Sequence, residues 1–171
     1  MHDWAIGLST GCFYRRRIFD SLAPIRSAGF ALLEVCSSPE HLDYHDAARA
    51  AEAGRAIRSE GLEAFSFHAP FGDEIDITSL DDGRRARSRD ELLRAADAAA
   101  AVEARRFVLH PGPESGESDR ENHITHLRNA ADVLGDVSAH CAERGVDLCL
   151  ENMLPHLLAG KTRDLLWILG A

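Results

Sequence analysis

A short apolar strand followed by a longer helical segment recurs five times along this chain, and that alternation constrains its fold more than any other feature. The strands read as Ala5 to Thr10, Ala31 to Ser37, Leu62 to His68, Arg106 to His110 and Val146 to Asn152. Helical segments are expected at about Tyr14 to Ala28, Tyr44 to Ser59, Arg87 to Arg105 and Glu121 to Arg144, with a last one opening near Lys161. In the fourth, Ile124, Leu127, Ala131, Leu134, Ser138 and Cys141 recur at three- and four-residue steps and predict one small or apolar stripe. Gly29, Gly61 and Gly145 each precede a strand, as glycine does where a helix stops in a left-handed residue. Pro111 to Asp119 reads as a loop, and Phe71 to Arg85 as a long strand-to-helix connection. Strict alternation implies parallel strands joined by helical crossovers.

Side chains alternate faces along a strand, so parity sorts each residue to one side of the sheet. Leu33 and Val35, Phe65 and Phe67, Phe107 and Leu109, and Leu148 and Leu150 form a bulky apolar face. The opposite face is small or polar and ends near the strand C-termini in Ser9, Glu34, His68, His110 and Glu151. A doubly wound sheet, with helices on both sides, would be apolar on both faces. A barrel carries its helices outside and its working groups at the C-terminal rim, and the parity pattern favours it. The predicted fold is therefore α/β, a partial (β/α)8 barrel of about five βα units with helices outside.

Length qualifies this. An eight-unit barrel typically needs about 250 residues, whereas the chain has 171. Residues 1–171 are expected to be the N-terminal portion of such a barrel, a single incomplete domain; the alternative is self-association or pairing through open sheet edges. Apolar runs such as Ala98 to Val102 are far shorter than a membrane span, and Met1-His2-Asp3 does not begin a signal peptide. A cytoplasmic location is expected. The net charge of −9 weighs against a nucleic-acid partner. Cys12, Cys36, Cys141 and Cys149, with no C-x-x-C pair, are expected to be reduced and mostly buried.

His68, His110 and Glu151 end consecutive strands on one inferred face. Two imidazoles and a carboxylate converging at a barrel rim predict a divalent-metal site. Glu34 ends the second strand on that face and is a candidate for binding a substrate hydroxyl. Asn152 falls on the opposite parity and His156 in the following loop; Cys149, inward beside Glu151, reads as a small thiol. His123, His126 and His140 are expected to be solvent-exposed on the fourth helix, and Arg15-Arg16-Arg17 to be a solvated helix start.

His68-Ala69-Pro70-Phe71, the following Asp76-Ile77-Thr78-Ser79, Val108-Leu109-His110-Pro111-Gly112 and Leu150-Glu151-Asn152-Met153 resemble signatures of the xylose-isomerase-like TIM barrels. That superfamily includes sugar-phosphate isomerases and epimerases and the endonuclease IV type of abasic-site nucleases. The resemblance implies that His68 and His110 bind metal, or that His68 contacts substrate, and that Glu151 is both metal ligand and proton-transfer base. Zn, Mn, Co or Fe would suit two histidines and a carboxylate. It also implies further ligands on later strands, for which these residues offer no counterpart.

Three functions follow as expectations. The leading one is a metal-dependent sugar or sugar-phosphate isomerase or epimerase that moves a proton through an enediolate, with Glu151 catalytic. The second is an abasic-site phosphodiesterase. The third is an inactive fragment lacking the C-terminal metal ligands.

Overall fold

A computed structural model describes residues 5–114 and 121–170; most of the expected 111–119 loop, the first four residues and the last residue lie outside them. Five strands, β1 (Gly7–Ser9), β2 (Leu32–Cys36), β3 (Glu63–His68), β4 (Arg106–Leu109) and β5 (Asp147–Leu150), form one sheet in the order β1-β2-β3-β4-β5. Every neighbouring pair is parallel. The helices between and after them are α1 (Phe19–Ser27), α2 (Ala47–Ser59), α3 (Asp82–Ala101), α4 (His123–Glu143) and α5 (Thr162–Leu169). None of the described helices is long and apolar enough to cross a membrane.

Helix boundaries follow local chemistry. Asp46 caps α2 by accepting from the Arg49 amide (3.0 Å), and Asp81 caps α3 by accepting from Arg84 (2.7 Å). The Asp81 cap starts α3 five residues before the expected Arg87, shortening the preceding loop. At its other end α3 stops at Ala101, ahead of the expected Arg105, because Glu103 takes the left-handed conformation (φ 62°) that Gly29, Gly61 and Gly145 take elsewhere. Between β1 and α1 the chain also departs from expectation. Thr10–Phe13 is a 3-10 turn begun by Ser9, and the helix opens only at Phe19. Tertiary bonds divert this segment: His41 donates through Nδ1 to the Arg16 carbonyl (2.5 Å), and the Ile18 amide donates to the His41 carbonyl.

The core lies between the sheet and its helices. Val35, Phe67 and Phe107 are fully buried, with the two phenyl rings stacked 6.1 Å apart. Against them α3 presents small residues such as Ala95, Ala96 and Ala99, and α2 presents Ala50, Ala53 and Gly54. A Cβ on Gly54 would stand 2.8 Å from the Ala101 carbonyl oxygen, so the α2–α3 approach depends on its absence.

Two parity readings are corrected. Leu33 pairs with Ala64 but Glu34 pairs with Ser66, so Phe65 is an extra residue in β3. Ala64 thereby joins the buried face (4% exposed), while Phe65 leaves it (37%) and lies under the Arg106 guanidinium, 4.5 Å from the ring centre. On α4, the buried face is Leu127, Ala130, Val133, Leu134, Val137 and Cys141, whereas Ile124 and Ser138 are exposed. A three-and-four spacing fits more than one stripe of this alanine- and valine-rich helix, and packing against α3 and β5 selected the other.

Candidate metal centre

The strands' common direction brings their C-terminal ends together. His68 is the last residue of β3; His110 and Glu151 follow directly on β4 and β5. The Glu151 amide donates to the Leu109 carbonyl (3.0 Å), continuing the sheet ladder to the acid itself. One potential ligand atom from each residue lies within 4.8 Å of the others. His68 Nε2 is 3.3 Å from Glu151 Oε2, and His110 Nε2 is 3.5 Å from the same oxygen. The two imidazoles meet edge to face with centres 5.0 Å apart, and the Phe71 ring stands 5.0 Å from one and 5.4 Å from the other. Both histidine side chains are largely buried; the Glu151 side chain is 46% exposed.

The histidine tautomers decide what this cluster can hold. His68 Nδ1 lies 2.9 Å from the Ala69 carbonyl oxygen, which can only accept, so Nδ1 carries the proton. In the neutral ring Nε2 is then a lone pair, and it faces a carboxylate oxygen that is also an acceptor. Two acceptors 3.3 Å apart repel unless a cation or proton lies between them. Ligands about 2.0–2.1 Å from a tetrahedral cation stand roughly 3.4 Å apart, matching both Nε2–Oε2 separations. The donor set fits a divalent metal ion.

Glu34 shares the inner face but not the cluster. It accepts from the Ser66 hydroxyl (3.3 Å) and lines a cleft with Gly7, Ser9, Phe65 and Ser66. It precedes by two residues Cys36, the partner of His68, so it sits about 7 Å deeper along the strand direction.

The Asp76–Ser79 motif anchors a loop and supplies no ligand. Asp76 Oδ1 accepts from the Thr78 amide (3.0 Å) and hydroxyl (2.6 Å), and the Asp76 amide donates to Ser88 Oγ on α3. His126 donates to the Thr78 carbonyl (2.8 Å), and Asn129 to that of Ser79 (2.9 Å), fastening the loop to α4. The expected solvation of the helix histidines is thus corrected. His123 pairs with the buried Asp164 of α5 (3.1 Å), and His140 pairs with Asp97 of α3 (2.9 Å). Periodicity could not show these contacts, because each partner lies on another helix or loop. His156 and Asn152 are exposed, and Arg15, Arg16 and Arg17 lie at the surface. All four cysteines are free; Cys36 and Cys141 are buried, Cys149 is half-buried and Cys12 exposed.

One residue of the rim escaped sequence reasoning. Glu114, in the loop after β4, places Oε1 3.2 Å from His110 Nδ1. Its position four residues beyond the histidine is a weak signal in a loop.

A one-sided parallel α/β sheet with a His-His-Glu cluster at its C-terminal rim defines an open arc of a (β/α) barrel carrying a candidate metal centre. The chain belongs to the xylose isomerase-like TIM barrel family, whose model matches residues 22–167. It superposes on a D-tagatose 3-epimerase-like protein at TM-score 0.81 and 21% identity, over 96% of this chain and 60% of that one. For the D-psicose 3-epimerase of Clostridium cellulolyticum H10 with D-tagatose the values are 0.79, 13%, 96% and 58%. For an L-ribulose 3-epimerase they are 0.77, 21%, 96% and 56%. The chain therefore spans somewhat under two thirds of the length of these proteins. No curated protein sequence matches it.

Proposed function

We propose that this chain forms the first five units of a barrel that acts as a metal-dependent sugar or sugar-phosphate isomerase or epimerase. The observation that carries the reading is the convergence of two imidazole Nε2 atoms, 3.3 and 3.5 Å away, on one oxygen of Glu151 at the rim. His68, His110 and Glu151 would hold the ion, with Zn, Mn, Co and Fe all compatible with the donors. When bound, a divalent cation supplies Lewis acidity to adjacent substrate oxygens.

The chain's own residues would do the rest. Both histidine contacts use Glu151 Oε2, which leaves Oε1 to take a proton from the substrate carbon beside the carbonyl. The enediolate so formed is reprotonated on the same or a neighbouring carbon. An epimerase returns the proton to the opposite face, a role for a second carboxylate that the later strands of an eight-unit barrel would bring to the same rim. Glu34, deeper on the inner face, would bind a substrate hydroxyl, and Phe71 would shield the imidazoles from water. The paired histidines would also suit an abasic-site phosphodiesterase, but the net charge of −9 opposes a DNA partner.

The test is solvent deuterium incorporation. The chain, alone and completed by any downstream coding sequence, is incubated in D2O with Mn(II) or Co(II) and ketoses such as D-fructose, D-tagatose or L-ribulose. Metal-dependent exchange beside the carbonyl, abolished in Glu151→Gln, is expected. Its absence from the completed barrel with both sugars and sugar phosphates would refute the reading.

A further inference from the structure

Each imidazole of the cluster has two nitrogens, and the two rings differ in how the outer one is held. His68 Nδ1 donates to a backbone carbonyl. His110 Nδ1 is sealed from solvent and makes no hydrogen bond of good geometry among the described residues, yet Glu114 Oε1 lies only 3.2 Å from it. A buried imidazole N–H left without an acceptor is costly, and a small rotation of the half-exposed Glu114 side chain would align the bond.

We propose that Glu114 is a positioning residue: it accepts the Nδ1 proton of His110 and so holds the Nε2 lone pair towards Glu151. The proposal rests on the metal reading for its consequence but not for its geometry. The competing tautomer would put a proton on Nε2, where it would bond to Glu151 Oε2 3.5 Å away and close the site to a cation. Two forces therefore compete for one proton, and Glu114 pulls it to the outer nitrogen. For His68 the Ala69 carbonyl does the same work, so both rings present the same edge to the acid. A carboxylate or carbonyl behind a ligating imidazole typically accounts for about 10–100-fold in metal affinity.

The experiment uses the whole chain with Glu114→Leu and Glu114→Gln. Both substitutions remove the charge, but only leucine removes the acceptor. Nitrogen-15 spectra of the metal-free proteins report the His110 tautomer, and calorimetric titration with Co(II) reports affinity. Wild type and Glu114→Gln should carry the His110 proton on Nδ1; Glu114→Leu should shift it towards Nε2 and bind Co(II) about 10–100-fold more weakly. If Glu114→Leu keeps the wild-type tautomer, or if wild type binds Co(II) and Glu114→Leu binds it equally tightly, Glu114 does not position His110. If wild type binds no Co(II) but the tautomer shifts as described, the metal reading fails and the positioning role stands.

Discussion

His68 Nε2 and Glu151 Oε2 face each other at 3.3 Å across two strands, although two complete strand-and-helix units separate them in the chain. The bond that His68 Nδ1 gives to Ala69 makes this a meeting of two acceptors. A proton or a cation between them resolves the conflict, and metal titration distinguishes the two.

Removing the acid should therefore abolish metal binding while sparing the fold. Glu151→Gln is expected to lose at least about 100-fold in Co(II) affinity, more than an indirect partner contributes. Because the side chain is half in solvent, unfolding free energy without metal should stay within about 0.5 kcal/mol of wild type. Calorimetry and urea denaturation read the two quantities separately.

The α2–α3 contact supplies a stability test remote from the rim. Gly54→Ala would force a methyl against the Ala101 carbonyl and Val102 Cα. Overpacking of this kind costs about 1–3 kcal/mol, visible as a lowered urea midpoint with an unchanged slope.

At Glu103 the sign reverses. A non-glycine residue at φ 62° carries a left-handed backbone, and its exposed ion pair with Arg58 contributes little. Glu103→Gly should raise stability by about 0.5–1 kcal/mol in the same assay.

Burial holds the His41 imidazole below its ordinary value, against the raising effect of its hydrogen bond to the Arg16 carbonyl. The folded state thus binds this proton less readily than the unfolded chain. Stability should be full above about pH 6.5, the ordinary histidine value, and fall as pH drops from there towards the folded value. Urea midpoints from pH 7.5 to 5 should show that loss, and His41→Gln should flatten it. Glu91 contributes at lower pH. Its carboxyl is held below the ordinary range because bonds from Tyr44 and His45, with Arg94 beside it, outweigh desolvation; its contribution disappears as pH falls through the acidic range.

Thiol chemistry should follow burial. Cys141 is pushed up to about 11 by burial, and Cys36 is raised for the same reason. At pH 8, Cys12 should react with a disulfide reagent first, while Cys36 and Cys141 should react only after denaturation. Mass-mapped labelling distinguishes them.

The alternation of strand and helix, the parallel sheet and the strand-end positions of His68, His110 and Glu151 were legible in the sequence. They rest on local periodicities of two and about 3.6 and on glycine breaks, which need no knowledge of distant neighbours. Other features were decided by the tertiary structure alone. The extra residue at Phe65 is defined only by the register of β2 against β3. The buried side of α4 depends on which of two possible stripes meets α3 and β5, and the bonds of His123, His126 and His140 need partners from other elements. Glu114 acquires meaning only when folding seals His110 Nδ1 from water. Periodicity can assign a residue to a face, but bonding between faces depends on the register and approach of surfaces far apart in the chain.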